Sequence, residues 1–227
     1  HCWRGGSKDT LLYFVVAEGL PLRLYCHWGT KKLKYKTIFL DRDGVINVDS
    51  PDYIKSEDEF NFIPESPEAV SLLSKEGCDL FIITNQSVIN RGMISLSKLE
   101  AIFLKMLKGI NKSGGKIKDI FFCQHTPDEC CECRKPKPKM ILDAAKKYNV
   151  NLNYSIMIGD SVKDIEAGKA AGCGATILVL TGNGKQSVDI LKEKSIEPDF
   201  IANNLMDAAI WITKTDQQEI NQQILIN

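Results

Sequence analysis

Five short, uninterrupted apolar runs, each closed by a polar residue or a glycine, restrict this chain's fold more than any other feature. Ile38-Phe39-Leu40 stops at Asp41, Leu80-Phe81-Ile82-Ile83 at Thr84, Ile120-Phe121-Phe122 at Cys123, Ile156-Met157-Ile158 at Gly159, and Ile177-Leu178-Val179-Leu180 at Thr181. A sheet with one wet face would alternate apolar and polar residues, whereas strands buried on both faces of a parallel sheet read as continuous runs. Helical spacing fills the gaps. Leu99, Ile102, Phe103, Met106, Leu107 and Ile110 follow a Ser97-x-x-Glu100 capping-box pattern, and further helices are expected over 66–76, 138–148, 162–171 and 187–194. The alternation predicts an α/β, Rossmann-like, doubly wound parallel sheet.

Composition bounds the rest. With 44% apolar and 26% charged residues the chain can bury a core, and a net charge of zero leaves no clustered basic face for nucleic acid. The longest N-terminal apolar run, Leu11 to Ala17, ends at Glu18, far short of the ~20 residues that span a bilayer. Without a small-residue cleavage site after it, the expectation is a cytoplasmic protein with no membrane partner, working as a monomer. Residues 1–35, which hold Trp3 and Trp28, differ in character from the remainder of the chain and are left as an unassigned extension. The working domain is expected over 36–212, and the polar stretch 213–227 reads as a frayed tail.

In a doubly wound sheet, ligands bind at the carboxyl ends of the strands, which is where the polar residues fall. Asp41 and Asp43 are two carboxylates that can face one pocket, a pairing suited to attack by one with acid–base help from the other. Thr84-Asn85 offers a hydroxyl and backbone N–H groups to phosphate oxygens. In Arg134-Lys135-Pro136-Lys137-Pro138, arginine can clamp a phosphate and lysine can offset charge developing in a transition state. Asp160 adds a carboxylate that would complete an oxygen-rich Mg²⁺ site. Asp164 follows either as an outer support of that site or as a charge at a helix N-terminus.

Cys123-x-His125 and Cys131-x-Cys133 place three thiols and an imidazole within eleven residues, enough for a closed, structural Zn²⁺ site that folds the loop carrying Arg134 and Lys135. Cys130 can replace Cys131 in that set; Cys131 is favoured because the paired Cys-x-Cys then abuts Arg134. The intervals from Asp43 to Thr84 and from Ser87 to Arg134 leave no room for a separate cap domain, so the fold is expected to be capless.

In their order and combination these elements resemble the haloacid dehalogenase superfamily of phosphohydrolases over roughly 36–212, with Asp41-Arg42-Asp43-Gly44, Thr84, Lys135 and Gly159-Asp160-Ser161-Val162-Lys163-Asp164 as its four motifs. The resemblance implies that Asp41 attacks phosphorus and that Asp43 protonates the leaving oxygen and then activates water. It also implies that Mg²⁺ sits on Asp41, the Asp43 carbonyl and Asp160, while Thr84 and Lys135 hold the phosphoryl group. Within the superfamily the zinc-loop pattern is similar to the heptose-bisphosphate phosphatase group, which implies a phosphorylated sugar substrate and a place in heptose synthesis for surface lipopolysaccharide. Asp49, Asp52, Asn85, Gln86, Ser87 and Arg134 are then the candidates for gripping the sugar and its second phosphate. Val88 stands where that group has glycine, and Ile89-Asn90 also departs from its pattern. The alternatives are the related histidinol-phosphate phosphatases, which carry Asp-Gly where this chain has Ser87-Val88, and a non-catalytic phosphosugar-binding module.

Overall fold

The computed structural model describes residues 33–224. Residues 1–32, most of the unassigned extension, lie outside the described residues, as do 225–227. Six strands form one sheet: β1 (Thr37–Leu40), β2 (Asp79–Asn85), β3 (Asp119–Cys123), β4 (Ser155–Gly159), β5 (Ala175–Val179) and β6 (Phe200–Ala202). All pair in parallel, in the order β3-β2-β1-β4-β5-β6. The helices are α1 (Ser66–Lys75), α2 (Leu96–Lys112), α3 (Lys139–Tyr148), α4 (Val162–Ala171), α5 (Gly184–Glu193) and α6 (Leu205–Ile224).

The continuous apolar runs have the predicted cause. Successive side chains of a strand point to opposite faces. Ile38, Leu40, Leu80, Ile82, Ile156 and Ile158 pack on one face with residues of α1, α2 and α6, while Phe39, Phe81, Ile83 and Met157 pack on the other with residues of α3 and α4. Each such side chain contributes about 2 kcal/mol when fully buried, so a bare face on either side would forfeit several of these terms. Among the described residues, no insert with its own core stands between the strands, in accord with the capless expectation. Residues 41–65 pass from β1 to α1 as a loop held by isolated bridges between Asp43 and Asn47 and between Asn47 and Phe62. No helix among the described residues is long and apolar enough to cross a membrane.

Three boundaries differ from the sequence expectation. β6 and α6 follow the five expected strands, and α6 runs through Ile224, so the tail expected from 213 begins inside a helix. Its start is marked by Asn204, whose Oδ1 accepts the Asp207 N–H at 2.9 Å. α5 starts at Gly184 rather than 187. α2 starts one residue before Ser97, because the capping side chain is Ser95, whose hydroxyl accepts the Lys98 N–H at 3.3 Å. Ser95→Ala should therefore lower stability by about 1 kcal/mol, while Ser97→Ala changes it by no more than about 0.5 kcal/mol. Urea-unfolding midpoints of the two variants check this; the opposite ranking would restore Ser97 as the cap.

Candidate active site

Register places the reactive residues. Leu40 lies beside Ile82 of β2 and Ile158 of β4, so the chain leaves the sheet at Asp41 with Thr84 on one flank and Asp160 on the other. Strand order reverses between β1 and β4, where an open α/β sheet presents its ligand crevice. The β1 ladder continues one step, the Asp41 N–H donating to the Ile158 carbonyl at 2.9 Å.

Lys135 lies at the centre. Its side chain is only 2% exposed, and its Nζ sits 2.9 Å from Asp41 Oδ1 and 2.6 Å from Asp164 Oδ1. It also donates to the Ile83 carbonyl at 2.7 Å. Burial works against the ammonium charge, but the Asp164 and Asp41 carboxylates override it and hold the lysine above its ordinary value. Asp164 has two sets of partners. It caps α4, its Oδ2 accepting the Ser161 N–H at 3.0 Å and the Ser161 hydroxyl at 2.7 Å, and its other oxygen anchors Lys135.

The carboxylates around this lysine outnumber it. Carboxylate oxygens of Asp41, Asp160 and Asp164 lie within 4.8 Å of one another, a donor set suited to a small divalent cation. Gly44 is required beside them: with φ at +77°, a side chain there would bring its Cβ within 2.1 Å of Asp160 Oδ2. Burial pushes Asp41 up, and the neighbouring carboxylates of Asp164, Asp160 and Asp43 add to it, with Lys135 opposing. Asp160 is pushed up to about 7, by burial first and then by Asp164. Crowding of this kind is what a divalent cation relieves, and the donor set fits Mg²⁺.

Asp43 moves the other way. Burial would raise it, but Arg42 and two further hydrogen-bonding neighbours, Asn47 and Gln86, bring it below its usual range. The Arg42 Nη2 donates to both carboxylate oxygens, at 2.6 and 2.8 Å, Asn47 Nδ2 to Oδ1 at 2.9 Å, and Gln86 Nε2 to Oδ2 at 2.9 Å. Gln86 Nε2 also donates to the Thr84 hydroxyl at 2.9 Å. The buried Thr84 is thereby tied to the acid–base candidate.

The residues expected to grip the sugar separate into groups. Asn85 exchanges two hydrogen bonds with the Lys135 backbone, its Nδ2 donating to the carbonyl at 3.2 Å and its Oδ1 accepting the N–H at 3.1 Å. It braces the lysine. Gln86 is occupied with Asp43, and Ser87 is buried. Val88 is buried as well, which absorbs its departure from the glycine pattern into the core. Asn90 reaches Glu129 in the zinc loop at 2.7 Å. Asp49 is exposed and accepts from Asn183 Nδ2 at 2.9 Å, while Asp52 is exposed on the same loop, away from these bonds. Arg134 stands beside Lys135, its Nη1 donating to the His125 carbonyl at 3.0 Å. A cavity of about 400 Å³ opens at Asp49, lined also by Val48, Pro51, Ile63 and the Thr181–Asn183 turn. That turn was not singled out in the sequence beyond closing the fifth apolar run.

Cys123, His125, Cys131 and Cys133 converge. Sulfur–sulfur separations run from 3.1 to 3.5 Å, and His125 Nδ1 lies 3.5 Å from the Cys123 sulfur and 3.3 Å from that of Cys133. A tetrahedral zinc with sulfur at about 2.3 Å needs edges of about 3.8 Å, so a small expansion admits the ion. Cys130, left-handed at φ 49° and exposed, is not in the cluster, whereas Cys131 is.

A HAD-hydrolase-like family model matches residues 132–208. The chain is 44% identical over 151 residues to the D-glycero-beta-D-manno-heptose-1,7-bisphosphate 7-phosphatase of Pseudomonas aeruginosa, covering 66% of this chain and 84% of that one. To the enzyme of the same name from Neisseria meningitidis it is 38% identical over 177 residues, covering 78% and 94%. Among solved structures it is similar to the D,D-heptose 1,7-bisphosphate phosphatase of B. bronchiseptica complexed with magnesium and phosphate. The TM-score is 0.75 at 38% identity, covering 79% of this chain and 99% of that one.

Two outcomes are expected. Because Asp160 titrates near 7 when folded against 3.8 as a free side chain, the folded state holds the extra proton between those values. In magnesium-free buffer its contribution to stability is therefore fully present below about pH 4 and is lost as pH rises through about 7. The rise in melting temperature on adding Mg²⁺ should be larger at about pH 8 than at about pH 5; an equal rise at both would contradict the crowded-carboxylate picture. Separately, Cys133→Ser should release zinc by metal analysis and lower the melting temperature, since the ion's binding energy is folding energy for the 123–135 segment. An unchanged melting temperature after verified zinc loss would exclude a structural metal.

Proposed function

The chain belongs to the HAD-like hydrolases and is a close relative of the heptose-bisphosphate 7-phosphatases, and from that premise we propose that it is a Mg²⁺-dependent phosphoric monoester hydrolase that removes the 7-phosphate of D-glycero-D-manno-heptose 1,7-bisphosphate through an aspartyl-phosphate. The observation that carries this reading is Lys135 held between Asp41 and Asp164 at the strand-order switch, beside a carboxylate cluster fit for a divalent cation. Asp41, the Asp43 carbonyl and Asp160 would hold Mg²⁺, which when bound supplies positive charge against the phosphoryl oxygens and the carboxylates.

The residues then divide the chemistry. An Asp41 carboxylate oxygen attacks phosphorus, the bond from phosphorus to the sugar oxygen breaks, and Asp43 gives that oxygen its proton. Asp43, now a carboxylate, takes a proton from water, whose oxygen attacks phosphorus. The bond to Asp41 breaks and inorganic phosphate leaves. Lys135 stays fixed by Asp164 and neutralises charge that grows on the phosphoryl group. Asp43 is anionic in its pairing with Arg42, so it must gain a proton first. An incoming phosphate dianion beside it disfavours the charged form and raises its proton affinity.

Thr84 would receive a phosphoryl oxygen, with Gln86 orienting its hydroxyl. Arg134 and Asp49, with Asp52 and Ser87, would meet the sugar and its second phosphate, whereas Asn85 and Gln86 act on Lys135 and Asp43. Zinc on Cys123, His125, Cys131 and Cys133 would fix the segment that ends at Lys135. The proposal includes a single working chain, because every candidate residue comes from one copy. It also includes a reducing cytoplasmic setting, which suits free thiols gathered for a metal.

The test is phosphate release from a panel of both heptose bisphosphate anomers, fructose bisphosphate and histidinol phosphate. A heptose bisphosphate should have the highest kcat/KM, with release lost in Asp41→Asn. Preference for histidinol phosphate would move the chain to the related group, and full activity in Asp41→Asn would exclude the covalent route.

A further inference from the structure

The turn between β5 and α5 supplies no side chain to the chemistry proposed for the site, yet it is bonded to three parts of it. Thr181 Oγ1 donates to the Gly44 carbonyl at 2.6 Å, which holds the loop that carries Asp41 and Asp43. The Asn183 backbone N–H donates to Asp160 Oδ2 at 2.8 Å, and the Asn183 Nδ2 donates to the same oxygen at 3.2 Å and to Asp49 Oδ2 at 2.9 Å. Ser187, one turn into α5, donates to the Asp160 carbonyl at 3.1 Å. Gly182 lets this approach occur: its φ is +53°, and a Cβ there would fall 2.2 Å from Asp160 Oδ2 and 2.7 Å from the Gly44 Cα.

We propose that Asn183 is the positioning residue of the cation-binding carboxylate Asp160, engaging one oxygen twice so that the other is left for the metal, and doing so from the wall of the Asp49 cavity. This role rests on the Mg²⁺ reading but is not contained in it. A carboxylate free to rotate offers either oxygen, or both, to an ion. With Oδ2 satisfied by two donors, Asp160 is restricted to single-oxygen ligation, the mode suited to an ion that keeps several waters. Hydrogen-bond partners of metal ligands commonly govern affinity by about 10–100-fold. The second bond, to Asp49, spans from the metal carboxylate to the expected sugar-binding loop, so one side-chain amide fixes both.

The test is Mg²⁺ binding to the purified zinc-loaded protein by titration calorimetry, with no substrate present, alongside melting temperature in magnesium-free buffer. Asn183→Ala should melt close to wild type without Mg²⁺ but bind the ion about tenfold more weakly or worse, with a smaller Mg²⁺-induced rise in melting temperature. Asn183→Ser, which retains the backbone donor and a shorter side-chain donor, should recover part of the affinity. If Asn183→Ala fails to fold, Asn183→Ser carries the same comparison with a smaller loss. Wild-type Mg²⁺ affinity in whichever variant folds overturns this inference alone. Absence of Mg²⁺ binding by the wild type overturns it together with the metal-dependent reading.

Discussion

The site depends on a buried lysine ammonium between two carboxylates. Bringing Lys135, Asp41 and Asp164 out of water costs several kcal/mol per ion, and a well-packed apolar trio would be at least as stable. Stability therefore does not account for the arrangement. What it achieves is fixed charge: Nζ is held by Asp164 from α4, by the Ile83 carbonyl from β2 and by Asp41 just past the end of β1, so the cation has little freedom left to lose. The same trio leaves the site short of positive charge. Asp41, Asp160 and Asp164 face one ammonium, and their crowding adds to the burial that pushes Asp41 and Asp160 up. A divalent cation relieves that crowding.

Lys135 is delivered by a segment with little apolar content of its own. Between β3 and α3 the chain passes through Thr126-Pro127-Asp128-Glu129 and the cysteine cluster, and hydrophobic burial does little to order it. Two clamps do. Asn85 pairs with the Lys135 backbone from the end of β2, and the Cys123–Cys133 contact brings the segment back onto the end of β3. Three thiolates at these separations would repel one another; burial pushes the Cys123 and Cys133 thiols up, while hydrogen bonds bring Cys131 down against its burial. A zinc ion on this cluster would add its binding energy to the folding of the segment that ends at Lys135.

The strand ends were legible because their signal is local. A parallel strand buried on both faces must be apolar throughout, so the point at which each run stops marks the crevice, and Asp41, Thr84 and Asp160 all fall there. Lys135 and the Cys/His cluster were legible for a different reason, since their residue types are dense over a short interval. β6 escaped because three residues, Phe200 to Ala202, are too few to show a period. The cap of α2 was misplaced by two residues because Ser95 and Ser97 are chemically identical and only backbone geometry distinguishes them. Asn85 and Gln86 were candidates for the sugar through the family resemblance, which says nothing of their partners within the chain. Folding turns them inward, onto Lys135 and Asp43. The Thr181–Asn183 turn was least accessible of all: its partners Gly44 and Asp49 are more than a hundred residues away, and no local spacing encodes such a bond.

Asp41 and Asp43, two residues apart at one strand end, are displaced in opposite directions, and this separation of environments is what allows paired carboxylates to take different roles. Taken alone, the directions run against the proposed chemistry, since Asp41, proposed to attack, is pushed up and Asp43, proposed to donate a proton, is brought down. The two charges still to enter the crevice reverse them. A cation against Asp41 and Asp160 favours their ionised forms, while a phosphate dianion approaching Asp43 competes with the carboxylate for Arg42, Asn47 and Gln86 and favours its neutral form. Each ligand thus prepares the residue it meets. In the proposed mechanism the metal and the phosphate together move Asp41 and Asp43 toward the forms the reaction uses, which couples reactivity to the complete complex.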